Sequence, residues 1–363
     1  MKSQNIAYNP RIDHIRYFAA TIVFLFHFNL EYHGMGGAEI KTSWLGIIKE
    51  GHTGVGLFFT LSGFLFMQIA LHKKNIVYSQ FIRNRFLRIF PLFFTVFLVA
   101  TSIGRDKFLP QDILYLLSTN LGKAPTSDTV ITGAAWCISL ELLFYFIFPF
   151  LARFTIERGY HYLFSLLVLM LFFKLASYPV TDRSSLMYFS TFVGRFDQFL
   201  IGMLAAFFYS KNNKVLHAHS SSILLFSIIF VFLNSALQSH FAPFDPSSKS
   251  VFWITWSLLE SSVWALFILA WISFDKALPI WINRSFCQGG KISFSFYLLH
   301  MAVIHIFMQS FGIISITHIQ GVDEFILGFL VYIITWGIAL LSYKSIEEPF
   351  LLMRRNYGDI KSI

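Results

Sequence analysis

Ionisable side chains stand in this chain where the surrounding residues are almost wholly apolar, and their spacing decides what chemistry they could do. In RYFAATIVFLFH, Arg16 and His27 lie eleven residues apart. On an α-helix that is about three turns, so the two groups share one stripe with roughly 16 Å of rise between them. A guanidinium at one end of the stripe can hold an anion, and an imidazole at the other can move a proton near neutral pH. Placing such groups in hydrocarbon costs about 2.5–3.5 kcal/mol each, so each needs a partner or a task. The plain alternatives are an interfacial anchor for Arg16 and a neutral packed ring for His27. Their shared face favours chemistry.

Further clusters stand along the chain. FIRNRFLRIFP carries Arg83, Arg85 and Arg88, of which Arg85 and Arg88 stand three apart on one helix face. Such a run is commonly a topology signal, but two forked guanidiniums on one face also suit a phosphate-bearing ligand. Upstream, GHTGVGLFFTLSGFL places four glycines and Ser62 at a helix entry, where small residues let backbones approach closely or admit a ligand. WCISLELLFYFIFP sets Glu141 among apolar neighbours with Tyr145 one turn on, as a fixed partner of a cation or as a base. GRFDQFLIGM carries Arg195, Asp197 and Gln198, with Arg195 and Gln198 on one face. SFSFYLLHMAVIH aligns Ser293, Tyr297 and His300 by spacings of four and three. Arg195, Tyr297 and His300 are the candidate substrate-binding residues.

Apolar stretches of spanning length must position these groups. They predict helices near 14–33, 53–71, 86–103, 134–152, 160–178, 189–209, 220–238, 251–273, 292–312 and 325–344. The longest polar stretch, about 104–133, has room for a short surface helix around Gln111–Ser118. Pro91 and Pro149 are expected to kink their helices. With the N-terminus inside, 19 of the 28 Lys and Arg residues fall on inner segments, which puts both termini in the cytoplasm. The expected fold class is all-α, a polytopic integral membrane protein of about ten transmembrane helices.

Composition agrees. Of the 363 residues 56% are hydrophobic and 13% charged, against about 25% charged in soluble domains. The net charge of +9 does not point to nucleic acid, because no basic stripe lies on a polar surface; it reads as membrane topology. Cys137 and Cys287, the only cysteines, fit neither a disulfide framework nor a tetrahedral metal site, and no metal is expected. Residues 1–363 read as a single transmembrane domain with no appended soluble domain.

In order along the chain, DHIRYFAATIVFLFH, GHTGVGLFFTLSGFLF, RFLRIFP, WCISLELLFYFIFP, RFDQFLIGM, ISFSFYLLH and IEEPF resemble the membrane-bound acyltransferase-3 family, whose members acylate cell-surface sugars and other acceptors. The resemblance implies that Arg16 and His27 are the family's essential arginine–histidine pair. Arg85 and Arg88 correspond to its paired arginines, which would bind the acyl donor. Glu141 corresponds to the acid after its tryptophan motif. The family string often has two acids there, whereas Glu141 is followed by Leu142. Many relatives carry an extra hydrolase-like domain, and its absence would leave transfer to the membrane part alone.

The resemblance therefore implies an O-acyltransferase of the bacterial inner membrane, with His27, Arg16 and Glu141 catalytic. It would move an acyl group, acetyl first of all, from cytoplasmic acyl-CoA to a hydroxyl of a saccharide or glycolipid. Tyr145, Ser139 or an arginine would steady the oxyanion. A secondary transporter or flippase, using the same charges as a proton or substrate path, is the competing reading.

Overall fold

A computed structural model describes residues 5–37, 42–73, 76–103 and 136–357, and every regular element among them is helical. Ten long helices succeed one another: α1 (Pro10–Gly34), α2 (Thr53–Lys73), α3 (Tyr78–Ile103), α4 (Trp136–Arg158), α5 (Tyr160–Ser177), α6 (Phe192–Ala218), α7 (Ser220–Phe241), α8 (Phe252–Ser273), α9 (Ile280–Phe311) and α10 (Gln320–Ser342). Each answers to one of the apolar stretches. The helix expected around Gln111–Ser118 lies outside the described residues. Helices α3 and α4 continue through Pro91 and Pro149.

Nine of the ten, α2 to α10, are long and apolar enough to cross a bilayer. The exception is α1. Its 25 residues are long enough, but Arg11, Asp13, His14, Arg16 and His27 lower its apolarity. It is instead shielded by its neighbours: Ala19, Val23 and Phe24 are fully buried, and α1 packs chiefly along α9 and α2. The polar groups of the sequence motifs are thereby held inside the bundle. The perimeter is the reverse, with side chains such as Phe172, Leu225, Phe232 and Phe325 exposed on the outer helix faces, as lipid contact requires.

Two close approaches position the site. A Cβ on Gly63 of α2 would sit 2.1 Å from the Phe199 carbonyl, and one on Gly202 of α6 would sit 2.0 Å from the Thr60 carbonyl, so these two helices meet backbone to backbone. A Cβ on Gly290 would sit 2.2 Å from the Asp13 carbonyl, which locks α9 against the start of α1. The glycines of the motif thus serve helix packing. After α10, Tyr343–Glu347 winds as a single π turn before the short helix Glu348–Leu352. Such turns recur where a helix must re-aim a functional side chain.

Candidate active site

Of the residues singled out in α1 and α3, Arg16, Arg85 and Arg88 converge on a cavity of about 260 Å³ at the N-terminal end of α1, whereas His27 and Arg83 do not line it. Arg16, Arg85, Arg88, Lys291, Arg354 and Arg355 all contribute to its wall. Its rim comes from the segment Asn5–Asn9 and from Tyr357, which are tied together by a hydrogen bond from the Tyr357 amide to Asn5 Oδ1 (2.8 Å). Six cations against the one carboxylate of Asp13 in the same wall leave a net positive, anion-attracting field. Burial beside Arg88, Arg85 and Arg16 pushes Arg354 down to about 10, still cationic at neutral pH.

Arg16, Arg85 and Arg88 are each held in a different way. Arg16 donates to Asp13 Oδ1 (3.1 Å), one turn back on α1. The Arg85 guanidinium lies over the Phe66 ring at 4.9 Å, near Phe81 and Tyr145, and donates to the Tyr357 hydroxyl. Arg88 donates to Glu347 Oε2 (3.1 Å), and that buried carboxylate also accepts from Ser295 Oγ. Glu347 stands on the π turn and belongs to IEEPF, a string whose acid the sequence marks only as part of the family resemblance.

Behind the mouth lies a second chamber of about 100 Å³, and Arg16, Arg85 and Arg88 line both. Its deeper wall carries Ser62, Cys137, Glu141, Tyr145, Ser293 and Tyr297. Glu141 accepts from Ser62 Oγ (3.1 Å) and faces this chamber without an ion pair among the described residues. Of the expected oxyanion donors, Tyr145 and the arginines line the chamber, whereas Ser139 donates to the Trp136 carbonyl (2.9 Å) and lines neither cavity. Cys137 Sγ lies 3.0 Å from the Tyr297 hydroxyl.

His27 lies beyond the chamber. Its ring meets His300 of α9, with Nδ1 of His27 3.0 Å from Nε2 of His300. Tyr297 joins the two regions, because it lines the chamber and its ring lies 5.6 Å from that of His300. The stripe expected on α1 therefore runs from the mouth at Arg16 to the histidine pair.

Arg195 is placed elsewhere. Its buried guanidinium donates to Glu260 Oε2 (3.2 Å) and to the Phe189 carbonyl (2.7 Å), lies 5.0 Å from the Phe189 ring, and touches neither cavity. Gln198 joins it on Glu260. Next to this network Lys174 pairs with Asp197 at 2.5 Å, both fully buried. Sequence reasoning passed over Glu260, Lys174 and Glu347. The signal was present, since LMLFFKLAS and WSLLESSVW each set one charge in an apolar run. Also unforeseen is a buried cluster in which Glu50 Oε2 accepts from His52 and Gln238. Among the described residues no group of three or more His, Cys, Asp or Glu side chains could hold a metal ion.

The acyltransferase-3 family model, an acyltransferase domain, matches residues 9–344. Acyltransferase MdmB of Streptomyces mycarofaciens is 30% identical over 150 residues, covering 39% of this chain and 38% of that protein. A Staphylococcus aureus (strain MSSA476) protein named "Putative O-acetyltransferase SAS0844" is 23% identical over 386 aligned positions, covering 96% of this chain and 58% of its own. The chain thus spans well under two thirds of the length of these relatives. No solved structure matches it. With the family model spanning nearly all of the helices that build the two cavities, the chain belongs to the acyltransferase-3 family.

Proposed function

We propose that the protein is a membrane O-acyltransferase that takes an acyl group, acetyl in the first instance, from acyl-CoA and passes it to a hydroxyl of a saccharide or glycolipid. The observation that carries this reading is the continuous wall of Arg16, Arg85 and Arg88 shared by the cationic mouth and the inner chamber. The nucleotide of acyl-CoA bears several phosphate charges, which six cations would attract, and bidentate arginines would hold its phosphates. The acyl arm, largely uncharged, would extend past the arginines into the chamber lined by Phe58, Phe59 and Tyr297. The acceptor would arrive from the opposite side, at His27. The excess of inner-segment Lys and Arg supports a mouth facing the cytoplasm of a bacterial inner membrane, within a single membrane domain.

A hydroxyl attacks a thioester slowly at neutral pH unless its proton is removed as the new bond forms. His27 would take that proton, a contribution of typically 10²–10⁴-fold. Arg16 would hold the donor on the stripe they share, and Glu141 would orient the chamber through Ser62. Tyr145 would donate to the developing oxyanion. Arg195, bound within its own ion pair, would act on substrate only through the packing of α6, while Tyr297 and His300 would stand at the junction of donor and acceptor.

The test is chemical. Purified protein incubated with labelled acetyl-CoA and lipid-linked saccharides should release free CoA thiol and yield a saccharide heavier by one acetyl group. Saccharide flux across liposomes with no acylated product would overturn the proposal.

A further inference from the structure

His27 on α1 and His300 on α9 meet ring to ring, with centroids 4.9 Å apart and planes inclined by 61°. Three short distances fix where their protons sit. Nδ1 of His300 is 2.5 Å from the Tyr297 carbonyl oxygen, and a carbonyl only accepts, so this nitrogen carries hydrogen. Nδ1 of His27 is 3.0 Å from the Val23 carbonyl, and the same reasoning puts hydrogen there. A neutral His300 then keeps its lone pair on Nε2, which lies 3.0 Å from Nδ1 of His27 and accepts from it. The donors all run one way, from His27 to His300 to the α9 backbone. Nε2 of His27 is left with a lone pair and no hydrogen-bond partner among the described residues.

We propose that His300 is a positioning residue for His27, holding it in the tautomer whose Nε2 accepts the proton of the attacking hydroxyl; this rests on the acyl-transfer reading above. As the acceptor oxygen bonds to the thioester carbonyl carbon, its proton passes to Nε2 of His27. The C–S bond then breaks, and the sulfur leaves with that proton, restoring the neutral ring. Between the two steps His27 is an imidazolium, and its Nδ1–H is shared between the Val23 carbonyl and the His300 lone pair. His300 therefore acts in the charged intermediate more than in the resting enzyme, which makes it a contributor to rate and not to donor binding.

Two measurements test this. Ring-¹⁵N NMR of histidine-labelled protein in micelles, assigned with His27→Gln, should show both His27 and His300 protonated at Nδ1. Hydrogen on Nε2 of His27 overturns the proposal, whether or not any acylation is seen, so its failure is distinct from failure of the acyl-transfer reading. In turnover, His300→Leu should lower kcat about 10- to 100-fold, the worth of one hydrogen bond to a charged group, with the KM for acetyl-CoA unchanged. His300→Gln, whose amide oxygen can accept from His27, should recover most of that loss. In a His27→Ala background, His300→Leu should have no further effect on the residual rate. Equal losses in the Leu and Gln variants, or a further loss in the His27→Ala background, would refute the assignment.

Discussion

Replacing Arg88 by methionine separates two roles that one guanidinium fills. Arg88 lines both cavities, and its Nη1 is also 3.1 Å from a Glu347 carboxylate whose side chain is only 1% exposed. Removing the cation leaves that carboxylate buried and unpaired, a change that costs about 3–5 kcal/mol for a buried pair. The Ser295 hydroxyl still donates to Glu347, so the loss belongs at the lower end, about 3 kcal/mol. Donor binding suffers separately. One charge-assisted contact to phosphate is worth about 1.5–3 kcal/mol, which raises the KM for acetyl-CoA about 10- to 100-fold. Adding Glu347→Gln removes the stranded charge, so the double variant should recover most of the stability and none of the donor affinity. Thermal unfolding in detergent, run beside acetyl-CoA titrations of turnover, reads both. An Arg88→Met protein with unaltered KM, or a double variant that regains stability and affinity together, would refute this division of labour.

The same geometry sets other outcomes. Arg195→Leu should destabilise the protein by about 3–5 kcal/mol while leaving the KM for acetyl-CoA unchanged in folded protein, because its partner is Glu260 and not the cavities; a selective KM effect would return Arg195 to the substrate site. Adding Glu260→Leu to Arg195→Leu should cost less than the sum of the two single changes, as a thermal-shift cycle would show. Gly202→Leu should abolish accumulation of folded protein in the membrane, since even a Cβ there meets the Thr60 carbonyl at 2.0 Å; normal accumulation would disprove the backbone contact. Glu141→Gln keeps an oxygen for Ser62 but removes the charge, so it should lower kcat by at least about tenfold without changing thermal stability. Unchanged kcat would mean that its charge plays no part.

The ten apolar stretches marked all ten long helices, and the spacing of Arg85 with Arg88 anticipated their common cavity wall. Helix boundaries were less legible. Hydropathy starts the third helix near 86, yet α3 begins at Tyr78, because the turn FIRNR is helical and puts Asn84 and Arg85 on the wall of the mouth. In the same way α9 begins at Ile280 and not near 292, since Gly289 and Gly290 in its polar first turns pack on Tyr17 and Asp13. Apolarity reports what meets lipid, whereas a helix continues wherever its backbone bonds are satisfied. Ion pairing was hidden for a different reason. Glu141 looked like a fixed partner for a cation, but the carboxylates that meet Arg88 and Arg195 are Glu347 and Glu260, which lie 259 and 65 residues away in sequence. Only the packing of α3 against the turn after α10, and of α6 against α8, brings them together.

The most direct test places wild-type and His27→Ala protein in proteoliposomes with labelled acetyl-CoA at the mouth side and a lipid-linked saccharide on the other. The wild type should move label onto the saccharide, while the variant, inserted and folded to the same extent, should bind acetyl-CoA yet transfer nothing above background. Transfer by the variant at the wild-type rate would contradict an imidazole at position 27 as the centre of the reaction.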